Sequence, residues 1–168
     1  RTVIIHAQLM RKDQLESTKR LGLVPSYYSA HPFFWGDWHR RSFGEKRAAF
    51  ISPAAETARM QIPFTIHNDA PIVPPDMMRL MWIAVNRKTR SDFVLGPDQR
   101  LTPTQALHAI TLGAAYQYFE EDKKGSITPG KQADLVILER NPLLANPDTL
   151  KDISIVETFA RGQSVFKK

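Results

Sequence analysis

Three histidines and one aspartate stand where a chain of alternating strands and helices could turn them toward one another. His6 closes an apolar run over residues 2–6, His31 lies just past a second over 23–28, and His67 and Asp69 end a third that covers 62–67. Neutral imidazoles and a carboxylate suit a divalent metal, zinc above all. Such an ion lowers the pKa of a water, and the carboxylate can take the released proton. His67 and Asp69 are two residues apart and share a strand face, with Asn68 on the other. No compact His-x-His or His-x-x-x-His pair accompanies them, so each histidine also reads as a hydrogen-bonded core or surface residue. Asp69 also reads as an Asx-turn residue before Ala70-Pro71. The chain has no cysteine, which excludes disulfides and thiolate chemistry and leaves any metal to His, Asp or Glu.

Other residues carry two readings as well. Trp35 and Trp38 either wall an apolar substrate pocket or anchor the segment that holds them. Arg87 and Arg90 either bind a carboxylate or end a helix in solvent. The methionines from Met77 to Met81 read as helix core rather than a cofactor box.

The elements that would position these residues follow from the hydrophobic pattern. After the first strand, residues 12–21 form a helix with Leu15, Thr18 and Leu21 on one face, stopped by Gly22. The second strand contains Pro25 and is expected to be short or irregular there. Residues 29–44 read as a long loop rich in His and aromatics, of the kind that is usually functional. Ser52-Pro53 supplies an N-cap and first-turn proline for a helix to about residue 60. Residues 76–88 form an apolar helix. Thr102-Pro103-Thr104-Gln105 is a capping box opening a helix with Ala106, Leu107, Ile110 and Ala114 inward. Repeated strand–helix alternation means a parallel sheet with helical crossovers. Past Gly125 the pattern turns to strands, with one over 133–138 and a hairpin folded at 160–163. Residues 1–123 thus read as an α/β body and 124–168 as a β-rich appendage.

A chain of 168 residues, 42% hydrophobic and 24% charged, is long enough for a core and too short for two large domains. Its net charge of +6 lies in scattered pairs rather than a stripe with interleaved aromatics, which argues against a nucleic-acid partner. No apolar run has the length of a membrane span. A β-branched run directly after Arg1, with no cap before it, reads as part of something longer. With no targeting signal in view, the location reads as cytoplasmic.

Several ordered motifs resemble the YtcJ-like branch of the amidohydrolase superfamily, amidohydrolase family 3. They are His6-Ala7-Gln8, the segment from Ser26 to His31-Pro32, Asp37-Trp38-His39, Phe43-Gly44-Glu45-Lys46-Arg47-Ala48 and His67-Asn68-Asp69-Ala70-Pro71. Thr102, Ala106-Leu107, Thr111 and Ala114-Ala115 follow. So does Gly125-Ser126-Ile127-Thr128-Pro129-Gly130-Lys131-Gln132-Ala133-Asp134-Leu135-Val136. The resemblance runs over nearly the whole chain.

It implies the C-terminal portion of a TIM-like (β/α) barrel, strands six to eight, plus a small β-rich segment of a composite β-sandwich. His6 would match the metal-ligand histidine ending strand six. Asp69 would match the aspartate after strand eight, both metal ligand and general base. His31 falls where family members contact substrate, and His67, Trp38 and Arg87 complete the expected substrate contacts. Asn68 replaces the family's frequent serine and is expected to tune the hydrogen bonding of Asp69. The family's strand-one His-x-His, strand-four Lys or Glu and strand-five His have no counterpart and would precede Arg1. The implied parent is a metal-dependent hydrolase of non-peptide C–N bonds in small amide-like molecules. The chain alone is then expected to be inactive and to self-associate or pair with an N-terminal part. The alternative is a non-catalytic interaction module that keeps the fold.

Overall fold

A computed structural model of the chain describes residues 1–168. Its first half is a parallel sheet with strands in the order β1 (Val3–His6), β2 (Val24–Tyr28) and β3 (Thr65–His67). Helix α1 (Lys12–Arg20) connects β1 to β2. Helices α2 (Ala30–Phe43), α3 (Glu45–Ala49) and α4 (Ala54–Arg59) connect β2 to β3. Every residue of the central strand is buried, as a strand covered on both faces requires. Pro25 sits in regular pairing opposite Ile4, so the proline does not break β2.

Helix α5 (Met77–Asn86) carries much of the core. Met78 and the whole run from Leu80 to Asn86 are buried, packed with Tyr27, Ile66, Leu101, Ala106 and Ile153. Asp76 caps the helix by accepting from the Arg79 amide at 2.9 Å. Thr102 opens α6 (Pro103–Ile110) with both hydrogen bonds of the capping box present, at 3.2 and 2.9 Å. The helix then breaks at Thr111, and α7 (Leu112–Gln117) follows. Ala106 and Ala109 face the core; Leu107, Ile110 and Ala114 are half-buried.

The last third is a separate antiparallel sheet of β4 (Leu135–Leu138), β5 (Ile155–Ala160) and β6 (Gln163–Lys167). Arg161 and Gly162 both have positive φ, 52° and 78°, as a two-residue hairpin turn with the twist of its strands requires. A 3-10 turn, Pro147–Asp152, ties this sheet to the body. Trp82 Nε1 donates to the Asp148 carbonyl and Asn86 Nδ2 to that of Pro147, each at 2.9 Å, and Leu150 is fully buried.

Three local expectations are corrected. Residues 30–43 are a helix, not a loop. Pro32 falls in its first turn, where a missing N–H costs no intrahelical bond, and Gly36 is carried inside the helix against Thr89 and Leu95, the chain turning out only at Gly44. Ser52 is not an N-cap: its φ is 48°, its hydroxyl is buried without a partner, and α4 begins two residues later. Leu21 falls beyond the end of α1 and is exposed, leaving Leu15 and Thr18 as the buried face.

Candidate functional site

The site is built on the C-terminal ends of β1, β2 and β3, and cross-strand register decides which side chains share it. Ser26 pairs with Thr65 and Tyr28 with His67, so all four project from one face. Tyr27 projects from the other, its hydroxyl 2.6 Å from Thr57 of α4. His6 pairs with Tyr27, and a regular strand would send its ring to that helix side too. Positive φ angles of 67° at His6 and 45° at Ala7 turn it back. Left-handed non-glycine residues cost about 1–3 kcal/mol and persist only where the surroundings hold them, often at functional sites.

The turned ring meets its partners. His6 Nδ1 lies 3.0 Å from His67 Nε2, and His6 Nε2 lies 3.9 Å from Asp69 Oδ2. One ligand atom each from His6, His67 and Asp69 falls within 4.8 Å of the others. The side chains of His6 and Asp69 are 40% and 37% exposed, so the group opens to solvent. Two imidazoles and a carboxylate are the donors a zinc-like ion takes, so these residues fit such an ion.

His31, on the first turn of α2, stands with its ring 5.7 Å from that of His6 and 4.7 Å from that of Tyr28. Burial pushes it down to about 4; His6, His39 and His67 act the same way and Asp69 opposes them. It is therefore neutral at pH 7, with its Nδ1 buried and unpartnered. His67 is also lowered, by burial first and His6 second. Burial and then Asp69 raise Tyr28, which keeps its hydroxyl protonated as a donor.

The sequence-predicted residues divide. His6, His31, His67 and Asp69 come together. Trp38 lies outside this group, 58% exposed, packed against His39 and Phe43. Arg87 is corrected: it is neither a substrate contact nor a solvated helix end. Only 2% exposed, its guanidinium donates to the carbonyls of Leu95, Ile51, Ser52 and Ala49. Asn68 donates to the Pro74 carbonyl at 2.9 Å, so it braces the following loop rather than Asp69. Ser26, Tyr28 and His39 were missed as site residues. Ser26 and Tyr28 carry a signal that could have found them, since they alternate on β2 with the period of Thr65 and His67 on β3. His39 reaches the group from the third turn of α2, 3.2 Å from the Gln8 amide nitrogen.

The parallel sheet, with helices joining its strands and a polar rim at its strand ends, is α/β architecture of the kind that carries sites at that rim. A metal-dependent hydrolase from Pyrococcus horikoshii, itself uncharacterized, superposes with a TM-score of 0.74 at 31% identity, over 86% of this chain and 30% of that one. The N-substituted formamide deformylase of Arthrobacter pascens is 25% identical over 158 residues, 94% of this chain and 29% of that protein. The YtcJ amidohydrolase of Bacillus subtilis is 27% identical over 172 residues, 98% of this chain and 32% of that protein. This chain thus spans about a third of the length of the curated relatives it matches. The amidohydrolase family profile matches residues 1–166. The chain belongs to amidohydrolase family 3.

Proposed function

We propose that this chain is the C-terminal part of a metal-dependent hydrolase of C–N bonds other than peptide bonds. In this reading residues 1–123 are strands six to eight of a TIM-like barrel with their helices. Residues 124–168 are the β-rich segment of a composite sandwich. The observation that carries it is the convergence of His6 and Asp69, 63 positions apart in sequence, to 3.9 Å on an open rim. His6 and Asp69 would hold a divalent ion, zinc by donor type, with further ligands from outside this chain. When bound, that ion supplies the Lewis acidity that makes water a nucleophile at neutral pH and polarises a carbonyl. Asp69 takes the proton of the attacking water and returns it to the leaving nitrogen. Neutral His31 and the Tyr28 hydroxyl offer hydrogen bonds to the substrate beside it. The substrate is a small amide-like molecule, and N-substituted formamides, named for the Arthrobacter relative, are the first to try. The chain associates with its missing barrel strands or with a second copy through the β1 edge, where Ile5 is exposed. No helix is long and apolar enough to cross a membrane, and a cytoplasmic location is part of the proposal.

Zinc titration by calorimetry tests the reading. The parent chain should take up zinc weakly, and both His6→Ala and Asp69→Asn should lose it. Uptake unchanged in both variants would sink the metal reading and favour a non-catalytic module.

A further inference from the structure

Beside the rim lies an open groove of about 890 Å³ with an apolar floor and a basic side. Leu9 and Met10, on the turn that follows His6, line one wall; Phe43 and Phe50, which bracket α3, line the other. Leu9 is 45% exposed and the other three are half-buried, so apolar surface stands open to water here. Trp38 extends it, its ring 6.1 Å from that of Phe43. The two walls are fixed to each other. Gln8 Nε2 lies 3.2 Å from His39 Nε2, and His39 stacks on Phe43 with ring centroids 5.1 Å apart. The Ser52 amide donates to the Gln8 carbonyl at 2.8 Å, and Ala48 and Ile51 anchor α3 from behind, buried with Leu95. A groove held this way is preformed, as ligand sites usually are.

The charges along the groove are not balanced. Arg11 donates twice to Asp13, at 2.8 and 3.0 Å, and Lys12 meets Glu56 at 3.3 Å. Glu45, the one acid of the lining, is held by Arg40 at 2.8 Å. That leaves Lys46 and Arg47, both exposed, neither with a hydrogen bond or an ion pair from its side chain. Exposed apolar surface rimmed by free cations suits a ligand with a hydrophobic arm and an anionic end, and an arginine fork matches a carboxylate. The groove also opens on the rim. Leu9 follows His6 by three residues, so that wall begins within about 11 Å of His6 even at full extension. The other wall joins the rim through His39, whose ring lies 6.2 Å from that of His31.

We infer that this groove is a substrate subsite that selects amides carrying an apolar arm ended by a carboxylate. The arm lies along Leu9, Met10, Phe43 and Phe50, the carboxylate pairs with Lys46 and Arg47, and the amide reaches the rim at His6. Lys46 and Arg47 are then specificity residues, remote from the reacting atoms. The inference rests on the hydrolase reading for what happens at the rim. Binding in the groove does not depend on the ion, because both walls belong to this chain and neither carries a ligand of it.

The test is a metal-free titration of chain labelled with 13C-methyl methionine and 15N-histidine, read by nuclear magnetic resonance. Of the five methionines only Met10 lines the groove, so its methyl reports binding there. N-formyl-8-aminooctanoate should shift the Met10 methyl saturably together with the His6 and His31 rings. Octanoate, which has no amide, should shift Met10 and leave His6 unmoved. The methyl ester of the formyl acid should bind about tenfold more weakly than the acid, since its end carries no charge to pair. The acid should lose about the same factor on a Lys46→Gln, Arg47→Gln double variant. That variant should still bind the ester as the parent does, which a general structural loss would not allow. Leu9→Ser, at an exposed position, should weaken acid and ester alike by about threefold through lost apolar contact. An ester bound as tightly as the acid, an acid indifferent to the double variant, or Met10 shifts with silent rim histidines would each overturn the inference. So would a groove closed to every probe in a chain that sediments as a dimer, which would assign it to a second copy. Zinc titration of the same samples reads the rim separately. No zinc uptake with the groove pattern intact would strike the metal reading and leave the subsite standing.

Discussion

Replacing Arg87 by Met should unfold the chain more readily without touching the candidate site. Arg87 ends α5 at φ 57°, and a Met there keeps the backbone conformation and most of the side-chain volume. What it removes is the fork of donors. Nε and one Nη hold Leu95 O and Ile51 O at 2.9 Å; the contacts to Ser52 O and Ala49 O are longer, at 3.3 Å. Burial pushes the guanidinium down to about 9, which leaves it charged at pH 7. Ser52 O also accepts from Ala54 N, but Leu95 O, Ile51 O and Ala49 O accept from no other group of the chain. Three orphaned carbonyls at about 1–3 kcal/mol each come to roughly 3–9 kcal/mol gross. Removing a buried cation relieves a desolvation cost of several kcal/mol, so the net loss should be near 3 kcal/mol. With a urea slope of about 2 kcal/mol per molar, the midpoint should fall by roughly 1.5 M. Zinc uptake per folded chain should be unchanged. A midpoint within about 0.3 M of the parent, roughly 0.6 kcal/mol at that slope, would refute the structural role. Lost ligand binding at unchanged stability would return Arg87 to the substrate side.

Thr102→Ala should cost about 1 kcal/mol by removing the oxygen that accepts the Gln105 amide, read as a shift in thermal midpoint. A neutral result would mean that the helix start is held by its neighbours. Gly96→Ala should abolish or severely weaken folding, because the added Cβ would lie 1.8 Å from the Ala49 carbonyl oxygen at a φ of 64°. Soluble, normally melting protein would contradict that packing. The folded His31 resists protonation down to about pH 4, while the unfolded chain takes a proton near 6.5. The unfolded state therefore binds more protons in that window, and stability falls as pH drops from 6.5 to 4, then levels. His31→Gln should make this limb shallower in urea titrations of metal-free chain, His67 and His39 keeping the rest because burial lowers them too; an unchanged limb would show that His31 does not contribute to it.

The residues to join at the rim were legible in the sequence as chemistry, and much of their support was legible as local pattern. Thr102 and Gln105 form their capping box, the methionines of α5 fill the core, and Arg161-Gly162 turn the hairpin, because each depends on neighbours within a few positions. Residues 30–43 hid their helix since Pro32 and a crowd of aromatics look like loop composition until the first-turn position of the proline is known. Only tertiary structure decided the rest. No local propensity places His6 at positive φ, yet that angle moves its ring from the helix side of the sheet to the rim. Arg87 sits at a helix end, where a sequence expects solvent, and is buried because carbonyls from residues 49–52 and 95 close around it. The contacts from His67 through Ser26 and Thr65 to Gln117 need the β2–β3 register and the docking of α7 on β3. Residue type and short spacing set what each group can do. Which groups meet depends on contacts that span 39 to 61 positions, and those are made by packing.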